Sequence, residues 1–127
     1  MKQTIPALFG FIFIAWLITQ ANKGSNNVLF TMVGFIPFGD KLGHLLLFGI
    51  LSLLTIIAFK CRSVKISNYQ VPIGALLVLF FAMLEELSQL LFINRTVDLL
   101  DALANIIGIS ISIFISSKYK TTLMKTY

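Results

Sequence analysis

One histidine and five carboxylates carry most of the chemistry open to this chain. His44 follows Asp40 by four residues, Glu85 and Glu86 precede Gln89, and Asp98, Asp101 and Asn105 follow at spacings of three and four. Side chains three or four apart stand over one another on a helix, so each group makes a polar face. A histidine beside carboxyl groups can transfer protons or take up a cation. Lys41 and Arg95 could hold an anionic group, Arg95 through two parallel hydrogen bonds. Glu85 and Glu86 lie about 100° apart on the helical wheel, so at most one points straight at a shared target; spacing does not choose between them.

Other chemical templates fit poorly. A single His and a single Cys exclude a zinc set of the usual kind. Asp40 and His44 with a further carboxylate could supply mixed N and O ligands, but no metal is assigned on that basis. There is no Gly-rich phosphate loop and no serine in a nucleophile elbow, and nothing marks Ser88 as a nucleophile.

The elements that must position these groups are apolar. The chain has 127 residues, 57% hydrophobic and only 12% charged, with a mean hydropathy of +0.93. Soluble domains carry about 25% charged residues. The composition therefore predicts a single integral membrane domain over residues 1–127, too short for a second sizeable unit. The net charge of +5 is not a nucleic-acid signature, because the basic residues flank hydrophobic runs rather than forming a patch on a soluble face. Cys61, alone between Lys60 and Arg62, reads as a reduced thiol.

A helix crosses the hydrocarbon in about 20 apolar residues. Four segments qualify: about Ile5 to Ala21, Leu42 to Phe59, Val71 to Phe92 and Leu99 to Ser116. The fold expected is an all-α bundle of four transmembrane helices. The first segment lacks a clean cleavage site and is read as a retained span. The stretch 28–36 is apolar but too short to cross, and reads as interfacial or re-entrant before Pro37. With four spans, Lys2, Lys60, Arg62, Lys65, Lys118, Lys120 and Lys125 share one side, against Lys23, Lys41 and Arg95 on the other. The positive-inside rule then predicts that both termini are cytoplasmic. All five acids fall in the outer half of the membrane, where charges are costly to keep without a partner or a task.

That cluster holds three more negative than positive charges when His44 is neutral. A shared proton, a bound cation or an open outer rim would each balance it. Structural roles are open for each residue taken alone. Asp40 and Asp98 could cap helices, Lys41 could anchor at the interface, Arg95 could neutralise Asp98, and His44 and Asn105 could join helices by hydrogen bonds. The confinement of every acid to one leaflet favours a shared site.

The run Asp40-Lys41-Leu42-Gly43-His44-Leu45-Leu46-Leu47-Phe48 resembles the D-K-x-x-H-x-x-x-[FY] signature of VanZ-like membrane proteins. Glu86-Leu87-Ser88-Gln89, Arg95, Asp98, Asp101 and Ala104-Asn105-Ile106-Ile107-Gly108 are similar to that family's E-x-x-Q…R…D-x-x-D-x-x-A-N-x-x-G block. The resemblance covers about residues 37–108 and selects Glu86 over Glu85. The turn Phe92-Ile93-Asn94-Arg95 departs from it, since relatives often carry Pro or Gly before the Arg. The resemblance implies a multi-pass protein of the bacterial cytoplasmic membrane, with a namesake associated with low-level resistance to the glycopeptide teicoplanin. It implies neither a reaction nor a cofactor.

Sequence and resemblance together predict an acid-rich pocket at the outer leaflet. Its ligand-binding residues are Asp40, Lys41, His44, Glu86, Gln89, Arg95, Asp98, Asp101 and Asn105, with His44, Glu86 and Asp101 the candidates for acid–base catalysis. The expected partners are membrane lipids and an anionic lipid-linked or glycopeptide-related envelope component. An enzyme acting on a lipid-linked substrate and a non-catalytic assembly protein are the alternatives. A transporter is disfavoured by the lack of an inverted repeat, a broken helix or a polar trail to the inner side.

Overall fold

A computed structural model describes residues 4–22, 32, 39–92 and 98–126. They form four helices and one short hairpin. Helix α1 is Thr4–Asn22 and helix α2 is Gly39–Ala58. Strands β1 (Ser63–Ile66) and β2 (Tyr69–Pro72) follow, then helix α3 (Ile73–Ser88). A 3-10 turn at Gln89–Leu91 extends α3, and helix α4 is Leu99–Thr126. The stretches Lys41–Ala58, Ile73–Leu91 and Leu99–Thr122 are long and apolar enough to cross a membrane, and Thr4–Gln20 is a shorter apolar helix. The residues expected to form an interfacial segment, 28–36, lie outside the described residues except for Met32.

Local sequence explains the boundaries. Pro6 lies in the first turn of α1, where its missing N–H removes no intrahelical bond. At the end of α2 the Cys61 N–H donates to the Ile56 carbonyl at 2.9 Å and the Lys60 N–H to Ile57 at 2.8 Å. Lys60 is left-handed with φ 54°, which makes this a Schellman stop. Pro72 precedes α3 in extended conformation, as the residue before a first helical turn can be. Asp98 opens α4: its carboxylate accepts the Leu100 N–H at 2.9 Å and its carbonyl accepts the Asp101 N–H at 3.1 Å.

Three features depart from the sequence-based expectation. The connection between the second and third spans is an antiparallel hairpin, with Ser63 opposite Pro72 and Ile66 opposite Tyr69, so the fold is mostly helical rather than all-α. The third helix starts at Ile73, because Tyr69–Pro72 are taken into β2. The fourth helix continues past Ser116 to Thr126, bending at Tyr119 (φ −111°, ψ 19°). Lys118 and Lys120 end its apolar character without ending its helical backbone.

Helix α2 is central and packs against α1, α3 and α4, most extensively against α4. The close approach is made by glycines. A Cβ on Gly108 would collide with the Leu45 carbonyl oxygen, and one on Gly49 would lie 3.1 Å from the Gly108 carbonyl oxygen. Gly74 lets α3 meet the backbone of Thr55 and Ile56 in the same way. Small residues at helix crossings are the usual solution where lipid supplies no hydrophobic drive between helices. Phe48, Leu51, Ile56, Val78, Ala82 and Ile109 form the interior, while Phe80, Leu90, Leu99 and Phe114 stay exposed. Such an apolar exterior suits a bundle solvated by acyl chains. Ser52 and Ser112, both buried, join α2 to α4 through a 2.7 Å hydrogen bond.

Candidate functional site

Because α2, α3 and α4 alternate in direction, the start of α2, the end of α3 and the start of α4 meet at one end of the bundle. His44 is one turn into α2, Glu85, Glu86 and Gln89 close α3, and Asp101 and Asn105 lie in the first two turns of α4. Their side chains converge. His44 Nδ1 lies 3.0 Å from Asn105 Oδ1, an arrangement in which the imidazole N–H donates to the amide oxygen. The Asn105 amide in turn reaches Glu86 Oε1 at 3.5 Å. His44 Nδ1 is 3.9 Å from Glu86 Oε1, and His44 Nε2 is 3.8 Å from Asp101 Oδ2. The ring therefore sits between a carboxyl of α3 and a carboxyl of α4. Those distances are too long for hydrogen bonds, but short enough for proton transfer after a modest closure.

Lys41 ties the rim together. Its ammonium donates to Asp98 Oδ2 at 3.0 Å and stands 3.6 Å from Asp101 Oδ1. The Asp98 carboxyl is held below the usual carboxylate range, first by the Leu100 N–H and then by Lys41. Asp98 thus both caps α4 and anchors Lys41. Below the rim, Glu86, Asp101 and Asn105 are buried. Aromatic rings lie on the bundle side of the cluster. Phe48 stacks on His44 with ring centres 6.0 Å apart, and Phe81 bridges Phe48 to Phe11.

Glu85 is the residue that sequence reasoning set aside. It is only 5% exposed, and the Gln89 amide donates to its two carboxylate oxygens at 3.1 and 3.2 Å. Gln89 therefore serves Glu85, its neighbour four residues back, where the E-x-x-Q spacing pairs it with Glu86. The available signal was that same spacing of four, which puts the two side chains on one helix stripe. Ser88 spends its hydroxyl on the Glu85 carbonyl at 2.7 Å. Of the other expected residues, Arg95 lies outside the described residues, as does the side chain of Asp40, whose backbone begins α2.

His44, Glu85 and Glu86 each offer a ligand atom within 4.8 Å of the others. Two ligands each about 2.1 Å from one ion lie no more than about 4.2 Å apart. The spacing of the group is compatible with one oxygen-ligated cation, whose ligands can lie about 5 Å apart, as well as with proton transfer.

The VanZ/LLP1 family matches residues 3–121, nearly the whole chain. The chain belongs to the VanZ/LLP1 family. No curated protein and no solved structure matches it. Every residue of the polar cluster lies inside the VanZ/LLP1 match, as do all four helices apart from the last residues of α4. Membership of that family, with three helices long enough to cross a bilayer, indicates a membrane protein.

Proposed function

We propose that this VanZ/LLP1 protein acts in the bacterial cell envelope, at the outer leaflet of the cytoplasmic membrane, where its polar cluster receives the anionic head of a lipid or lipid-linked component. The observation that carries the reading is the convergence of His44, Glu86, Asp101 and Asn105, from three separate apolar helices, on one point beside Lys41. Lys41 supplies the charge for an anion, and the sequence motifs assign Arg95 and Asp40 to the same ligand. His44, between two carboxyls, moves a proton to or from the bound group. The excess of basic residues on the opposite side, with none of the acids there, supports cytoplasmic termini and an outward-facing site.

A second reading is favoured by the hydrogen bonds that these groups make to one another. Gln89 is spent on Glu85, and Asn105 spans His44 and Glu86. A network of that kind could serve only to lock helices together. Thermal unfolding in detergent separates the two, with a short-chain phosphatidylglycerol as the probe and phosphatidylcholine as the control. The site reading predicts that phosphatidylglycerol raises the Tm of the wild type and that Lys41→Gln and His44→Ala abolish the rise while keeping a cooperative transition. A lowered Tm with an undiminished lipid response would leave only the structural role.

A further inference from the structure

The end of the bundle opposite the carboxylates holds a second unassigned surface. The strand register pairs Val64 with Val71 and Ile66 with Tyr69, and Ser63 with Pro72 and Lys65 with Gln70. Directly opposed residues share a face of the sheet and successive residues alternate. Val64, Ile66, Tyr69 and Val71 therefore form one apolar face, and Ser63, Lys65 and Gln70 lie on the other. The helices do not cover the apolar face: Val64 and Ile66 are exposed, and Tyr69 is 75% exposed. A two-stranded hairpin alone is marginal in water, so a persistent one with an uncovered apolar face calls for an apolar neighbour.

Connectivity and charge say what that neighbour is. The hairpin joins the last turn of α2 to the first turn of α3, and the Ile73 N–H donates to the Arg62 carbonyl at 2.9 Å, which fixes its root to both helices. If those helices cross a bilayer, the hairpin cannot leave its surface. Lys60, Arg62 and Lys65 are exposed around it, and Lys120 of α4 is near enough to act electrostatically on the buried thiol of Cys61. No acidic residue occurs between Asp40 and Glu85 or after Asp101. Basic residues flanking a strip of aliphatic and aromatic side chains have the chemistry of a surface that binds anionic lipid.

We propose that residues 62–72 form an interfacial hairpin whose Val64, Ile66, Tyr69 and Val71 enter the headgroup–acyl boundary while Lys60 and Arg62 at its root bind the phosphates of anionic lipids. The proposal rests on the membrane-spanning reading of the helices, so the experiment carries its own control for that. Trp16 is the chain's one tryptophan and is replaced by Phe. Single tryptophans are then placed by Tyr69→Trp, Ile66→Trp, Gln70→Trp and, as the spanning control on α3, Phe80→Trp. Each protein is reconstituted in nanodiscs of brominated phosphatidylcholine, with and without one-quarter phosphatidylglycerol. Expected is blue-shifted emission and bromine quenching for the probes at 66 and 69, stronger with phosphatidylglycerol, and water-like emission for the probe at 70. Lys60→Gln with Arg62→Gln should remove the dependence on phosphatidylglycerol. Water-like, unquenched emission at 66 and 69 while the probe at 80 is quenched would overturn the proposal. So would a blue shift that grows with the number of copies per disc without quenching, since the face would then meet a second copy. An unquenched probe at 80 would instead sink the spanning reading itself, and the hairpin proposal with it.

Discussion

At the scale of single residues, the polar end of the bundle depends on side chains that serve two neighbours at once. Asp98 caps α4 and holds Lys41, and its carboxyl is depressed by both contacts. A depressed carboxylate contributes stability above its unfolded value, about 3.9, and loses it as pH falls through the lower folded value. Thermal unfolding in detergent from pH 6 downward should therefore show an acid limb that is shallower in Asp98→Asn. Asparagine caps a helix about as well as aspartate, so the comparison isolates the charge. Identical acid limbs would contradict the role given to Asp98. Much of this residue pattern was legible in the sequence, because spacings of three and four on apolar helices fix shared faces without any tertiary knowledge. Glu85 was not, because helical spacing ranks faces but not depth. Its burial follows from how α3 rotates against its neighbours, which no short window of sequence records.

At the scale of elements, glycine sets how closely α2 and α4 approach, and that approach brings His44 to Asn105. A Cβ on Gly108 has nowhere to go but into the Leu45 carbonyl. Gly108→Ala should thus destabilise the protein by about 1–3 kcal/mol, read as a drop in Tm in detergent, and should do so more than alanine at Gly43, where an added Cβ meets nothing within 4 Å. Equal effects at the two positions would show that the crossing is not held there. The helices themselves were easy to read, since runs of apolar residues near 20 leave few alternatives. The hairpin was missed for a definite reason. Ser63-Val64-Lys65-Ile66 and Tyr69-Gln70-Val71 alternate as strands do, but each is only four residues or fewer and is overshadowed by the hydrophobic run that begins at Val71. Ser67, with φ 55°, takes the left-handed turn position that glycine or asparagine would have advertised.

At the scale of the whole molecule, the distribution of charge follows the direction of the helices. Alternating directions bring the carboxylates of α3 and α4 and the histidine of α2 to one end, and leave Lys60, Arg62, Lys65 and Lys120 at the other. The sequence contained this arrangement once the number of spans was counted, whereas the internal pairing of the polar groups needed the packed bundle. The account stands on that convergence, and chemical cross-linking in native membranes tests it most directly. On a Cys61→Ala background, His44→Cys is combined in turn with Asn105→Cys, Glu86→Cys and, as a control facing away, Phe114→Cys. Treatment with a short thiol cross-linker, followed by cleavage at a protease site inserted in the 93–97 stretch, reports whether α4 stays attached to α2. The account predicts that the pair at 44 and 105 holds the fragments together while the pair at 44 and 114 does not. The pair at 44 and 86, which lies within one fragment, should show its link as a shift in gel mobility. Separation of the fragments in the 44 and 105 pair, with both thiols shown to be reactive, would mean that the three helices do not share a site.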